Sequence, residues 1–203
     1  DHKGGKRMDG VQKDIQMIMD ALPGSSFSVI SFSNGAEILT PFTQDIVSVS
    51  DIVSDLNMPS FTTSQGSSLN TAFEALRITA ESAAAKKGNR RTIVFLFSDG
   101  ETTDGSTLMS FDELHGLVDN GAVLGYGTAA GGRMNYPGRG YIKNVSDGTI
   151  ALSHIDEDAL RQVSGDLGLL YINETSDPGS ALSTRLQTIR LMSRDAFFAD
   201  GNR

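Results

Sequence analysis

Apolar positions along this chain alternate between two rhythms. Short continuous runs with strand character are separated by longer stretches in which apolar residues recur every three or four positions. Residues 7 to 22, RMDGVQKDIQMIMDAL, place Met8, Val11, Ile15, Ile18 and Leu22 on one helical face, and Pro23-Gly24 ends that helix. SFSVISFS, 26 to 33, reads as a buried strand. Asn34-Gly35 turns it into an antiparallel partner, AEILTPF, whose Pro41 puts that partner at a sheet edge. Asp45 is placed to cap a helix running to about Leu56. The stretch NMPSFTTSQGSS is a polar loop. In the helix SLNTAFEALRITAESAAA that follows, Leu69, Ala72, Phe73, Leu76 and Ala80 share a face.

Past the basic connector 86–91, TIVFLFSDG is the clearest strand in the chain. Its unbroken β-branched and aromatic residues predict burial on both faces. A short helix is expected over 111 to 119, then the strand AVLGYGT, then an irregular region to 153 with a hairpin turned by Asp147-Gly148. DEDALRQVSGDLG predicts a helix with acids at its positive end, stopping near Gly165 or Gly168. LLYIN is the last strand and DPGSALSTRLQTIRLM the last helix. SRDAFFADGNR is expected to fray as a tail or to begin a linker. The alternation predicts an α/β fold: a doubly wound, mostly parallel sheet with one antiparallel edge strand.

Composition narrows the function classes. At 203 residues and 38% hydrophobic, the chain can bury the core of one domain. It carries 25 acidic against 17 basic residues, a net charge of −8, with no basic stripe interleaved with aromatics, which argues against nucleic acid. There is no cysteine, which excludes disulfides, thiolate metal sites and a cysteine nucleophile. No stretch approaches the roughly 20 apolar residues of a membrane helix, and no signal peptide is visible. The opening DHKGGKRMDG reads as the start of an excised piece.

The candidate chemistry lies where strands end. In open α/β sheets ligands bind beyond the carboxyl ends of the strands. Asp99 sits at such an end, as do Gly127-Thr128 and Ser33-Asn34, while SQGSSLN offers hydroxyls and backbone N–H groups at a helix start. An acid plus hydroxyls suits a hard cation such as magnesium; an ordinary Asp-Gly turn is the competing account. His2, His115 and His154 form no zinc-type pair. No Gly-x-Ser-x-Gly or Walker lysine is present, and the glycines at 125 to 131 have the wrong spacing for a dinucleotide fingerprint. Glu101 and Asp104 read as a solvated acidic loop, or as a carboxylate pair.

Taken together, TIVFLFSDGETTDG, QGSSLNTAFEALRIT and RMDGVQKDIQMIMDALPGSSFSVISFS resemble a von Willebrand factor A domain. TPFTQD, GYGTAAGG, DGTIALSHIDEDALRQVSGDLGLLYI and DHKGGKRM are most similar to the bacterial membrane-anchored BatA/BatB, aerotolerance-operon type. The resemblance implies a domain over 1–192 with a tail or linker over 193–203, and a metal-ion-dependent adhesion site (MIDAS) in three parts. Asp99, in Ser98-Asp99-Gly100, matches the aspartate part. Ser67 after Gly66 matches the threonine part, with Ser68 as the alternative hydroxyl and Glu101 as a further ligand or supporting acid. The Asp-x-Ser-x-Ser part and the first strand that carries it are missing, and are expected a few residues upstream of Asp1.

A central strand burying five large apolar side chains, at about 1.5–3 kcal/mol each, would contribute roughly as much as a whole domain's net stability of about 5–15 kcal/mol. The resemblance therefore implies that upstream residues, another segment or another molecule fills that place, strand exchange or a homo-oligomer included. The implied function is protein binding rather than catalysis. A Mg²⁺ or Mn²⁺ ion at the sheet edge would receive an Asp or Glu from a partner protein, although Ser67 and Asp99 alone would hold no ion firmly. The rivals are a structural or assembly module that works without metal, and a metal-assisted hydrolase using Asp99. The resemblance also implies a bacterial extracytoplasmic location, with membrane contact through segments outside this chain; Phe197-Phe198 is placed either to pack back on the domain or to meet the membrane.

Overall fold

The computed structural model describes residues 7–56, 68–86, 88, 90–136, 140–143, 147–176 and 178–200. Ser67 and His2 lie outside them. Helix α1 (Arg7–Ala21) leads into strand β1 (Phe27–Phe32) and its antiparallel partner β2 (Ala36–Thr43). The pairing of Phe32 with Ala36 leaves three residues in the turn, rather than the two expected from Asn34-Gly35. Asp45 caps α2 (Ile46–Ser54), its carboxylate accepting from the N–H groups of Val47 and Ser48. Helix α3 (Asn70–Ala85) precedes β3 (Ile93–Ser98), a 3₁₀ turn (Asp112–Leu117) and β4 (Asn120–Gly125).

Four two-residue strands, β5 (Gly132–Arg133), β6 (Asn135–Tyr136), β7 (Gly140–Tyr141) and β8 (Leu152–Ser153), form the irregular excursion. Helix α4 (Glu157–Asp166), strand β9 (Leu170–Asn173) and helix α5 (Ser180–Asp200) complete the chain. Helix α5 runs on to Asp200, past Met192, where the sequence pattern puts its end.

Strands β3, β4 and β9 form a parallel sheet with β4 in the middle. Side-chain alternation on β4 divides the core. Ala122 and Leu124 enter a cluster with Ile18 of α1, Leu22 just past its end, and Leu182, Leu186 and Ile189 of α5. Val123 enters the opposite cluster, with Leu69, Phe111, Leu160 and Val163. Helices therefore cover both faces, as expected of a doubly wound fold. A third, smaller cluster of Met19, Val49 and Val53 seats α2.

One expectation needs correction. The pattern of TIVFLFSDG predicts burial on both faces, yet only Leu96 of β3 is buried and its other five residues are half-buried. All six residues of β4 are buried. The reason is pairing: β3 bonds to β4 on one side, and among the described residues its other edge bonds to no strand. The β1–β2 hairpin forms a separate sheet. Yet β1 shares both cores with β3. Phe27 packs on the cluster that takes Phe95 and Phe97, and Phe32 on the cluster that holds Leu96. The α/β architecture is therefore present as two half-sheets over common cores.

Candidate site at the carboxyl edge

Asp99 follows the last residue of β3, and its surroundings are built by three distant segments. Its backbone C=O accepts the N–H of Asp156 at 2.7 Å, which docks the start of α4 on the strand end. Gly100 makes this docking possible. It has φ +78°, and a Cβ there would collide with the backbone oxygen of Asp156 and with Leu160.

The Asp99 carboxylate is satisfied from within the chain. Arg7, the first residue of α1, donates Nη1–H to Asp99 Oδ2 at 2.7 Å and to Ser153 Oγ at 2.6 Å, and Nη2–H to the Ser153 carbonyl at 2.9 Å. Ser153 Oγ donates to Asp99 Oδ2 at 3.1 Å, and the Glu101 N–H to Oδ1 at 3.3 Å. Burial pushes the Asp99 carboxyl above its ordinary value. The Arg7 charge draws it down and the Glu101 charge pushes it up again.

The other expected ligands are placed as follows. Glu101 Oε1 accepts the backbone N–H of His154 at 2.8 Å, beside Asp99. Ser68 is buried, and its hydroxyl lies 3.2 Å from that of Ser106 while accepting the Asn70 N–H. Its backbone N–H donates to the Ser33 carbonyl, tying α3 to the end of β1. The structure thus brings Glu101 next to Asp99 and turns the Ser68 hydroxyl towards Ser106. An open cleft of about 560 Å³ lies beside this edge, lined by Glu101, Thr102, Thr103, Ala129, His154 and the start of α4.

Magnesium takes six oxygens in near-octahedral geometry. Among the described residues no group of three His, Asp or Glu side chains could hold a metal, and the nearest cation to Asp99 is the Arg7 guanidinium. With the Arg7 guanidinium bonded to Oδ2, the described residues around Asp99 do not fit an ion.

Sequence reasoning missed Arg7 and Ser153. For Arg7 a signal existed: a cation in the first turn of a helix opposes the helix dipole and needs a tertiary partner. Ser153 carried none.

A profile of the von Willebrand factor type A domain matches residues 1–101. A search of the curated proteins finds no significant match. Among solved structures, BatB from Bacteroides thetaiotaomicron is similar at 18% identity and TM-score 0.77, covering 94% of this chain and 90% of its own. An aerotolerance-related membrane protein from Bacteroides fragilis NCTC 9343 is similar at 16% identity and TM-score 0.73, covering 91% and 90%. Proximal thread matrix protein 1 from the mussel byssus, with a zinc-occupied MIDAS motif, is similar at 16% identity and TM-score 0.57, covering 89% of this chain and 42% of its own.

Proposed function

The chain belongs to the von Willebrand factor type A domain family, and from that premise we propose that it is a protein-interaction module whose contact face is the carboxyl edge of its parallel sheet. The observation that carries this reading is the placement of Asp99. A part-buried carboxylate follows β3 and is fixed by α1 and β8, and its neighbour Glu101 lines a cleft of about 560 Å³. A rigid scaffold presenting loops at a sheet's carboxyl edge is where such folds hold ligands.

In the metal-bridged form of this reading, Mg²⁺ or Mn²⁺ on Asp99 and Ser67 would receive an Asp or Glu of the partner. The zinc-occupied motif of the byssus protein supports that form, and the guanidinium on Asp99 opposes it. The reading extends to a bacterial cell envelope as location, supported by the membrane protein among the structural neighbours. Among the described residues no helix is long and apolar enough to cross a membrane.

The test is affinity capture from the envelope fraction of the source cell with three chains: wild type, Ala129→Arg in the cleft, and Ser82→Arg near the far end of α3. A partner held by wild type and by Ser82→Arg but lost with Ala129→Arg supports the carboxyl edge as the contact face. A partner held equally by all three places the contact elsewhere.

A further inference from the structure

We propose that Arg7 is the resident cation of this edge: its guanidinium neutralises Asp99 in place of a metal ion, and in doing so keeps divalent cations out. The inference builds on the proposed binding face and adds that this face works without metal.

Three observations carry it. The first is the contact set. One guanidinium nitrogen meets both Asp99 Oδ2 and Ser153 Oγ, and the other meets the Ser153 carbonyl, all within 2.9 Å. Arginine is suited to this role because its planar fork holds several acceptors at once and stays charged at any working pH.

The second is the seat. Gly127, with φ +142°, lies under the guanidinium, and a Cβ there would stand 3.2 Å from Nη2 and 3.3 Å from Cζ. The chain leaves room for Arg7 by omitting a side chain at that point. The third is the cost of the position. Arg7 occupies the first turn of α1, where the helix dipole disfavours a cation. A residue held there needs compensation from elsewhere, and Asp99 with Ser153 supplies it.

A divalent ion approaching Asp99 Oδ2 meets a positive charge already bonded to that oxygen. It also meets a serine hydroxyl whose lone pair is engaged by the same nitrogen. To bind at Oδ2, the ion must displace the guanidinium from that oxygen.

The experiment is a Mn²⁺ titration of the full chain, followed by water-proton relaxation and by the NMR signals of the loop at 98–101. Four proteins are compared: wild type, Arg7→Gln, Asp99→Asn and Arg7→Gln/Asp99→Asn. We expect no saturable binding and no selective broadening in wild type. Arg7→Gln should gain Mn²⁺ affinity at least tenfold, and the double variant should lose that gain.

Saturable Mn²⁺ binding by wild type that is lost in Asp99→Asn overturns the proposal. So does the absence of binding in both wild type and a folded Arg7→Gln, since Arg7 would then not be what excludes the ion. Should Arg7→Gln not fold, Arg7→Met takes its place: it keeps the aliphatic stem without the charge, and a gain in Mn²⁺ affinity of the same order is expected. A folded Met variant with no gain overturns the proposal as well. No partner enters this titration, so its failure is distinguishable from failure of the protein-binding reading.

Discussion

Gly127 lies directly beneath Arg7: a Cβ at Gly127 would stand 3.2 Å from Nη2 of the guanidinium and 3.3 Å from Cβ of Ile155. Gly127→Ala therefore adds crowding to the strain of a φ of +142°. Backbone strain of this kind costs about 1–3 kcal/mol. The control is Gly105→Ala, at φ +78° with nothing within 4 Å, which reports backbone strain without a clash. Chemical denaturation should show Gly127→Ala losing more stability than Gly105→Ala. Equal losses would mean that the guanidinium slides aside freely and that its seat is not built.

Removal of Arg7 should matter more at neutral pH than in acid. Burial holds the Asp99 carboxyl above the ordinary 3.8, and Arg7 opposes that shift. A carboxyl raised in the folded state favours folding while it is protonated. That contribution is fully present below 3.8 and is lost as pH rises through the raised value. Arg7→Gln removes the opposing charge and raises the group further. Its penalty should be small in acid and reach about 1–3 kcal/mol at neutral pH, the range for stripping a charged partner from a part-buried group. Unfolding curves across this range check it. A penalty that is flat with pH would show that Arg7 acts by packing alone.

Tyr126 ties α1 to the end of β4. Its hydroxyl donates to Asp14 Oδ2 at 2.7 Å, and both side chains are buried. Burial first, and the Asp14 charge next, push the phenol well above its ordinary range. Tyr126→Phe keeps the ring against Phe97, 6.3 Å away between centroids, and deletes only the donor. Removing one partner of a buried bond costs about 1–3 kcal/mol, so the thermal midpoint should fall measurably. An unchanged midpoint would mean that other bonds carry Asp14.

How much of this was legible in the sequence depends on the range of the forces involved. Helix α1 and the cap at Asp45 follow from local patterns, because periodicity and capping are decided within a few residues. The stop at Gly168, φ +66°, is equally local. Asp99 was visible as an acid that ends an apolar run. Its partners were not, because Arg7 lies 92 positions away and Ser153 54 positions away. Nothing local in the excursion after β4 announces that its last strand returns to β3. The half-burial of β3 was misread for the same reason: an apolar run encodes the capacity to be buried on both faces, while the neighbour strand decides whether it is.

The unpaired edges of β1 and β3 make the last prediction. Both strands feed the same two apolar clusters, yet among the described residues no strand bonds to either facing edge. Open N–H groups on a strand edge exchange with solvent and invite pairing. Hydrogen–deuterium exchange should therefore find the amides of Ala122, Val123 and Leu124 among the slowest in the protein. Within β3, every second amide should exchange faster by orders of magnitude, because alternate N–H groups point away from β4. An apolar strand of about six residues offered to the gap, matched to β3 in length, should slow those amides and raise the unfolding temperature. Uniform slow exchange along β3 in the chain alone would mean that its outer edge is already paired in solution, and size measurements by light scattering would then show whether a second copy supplies the strand.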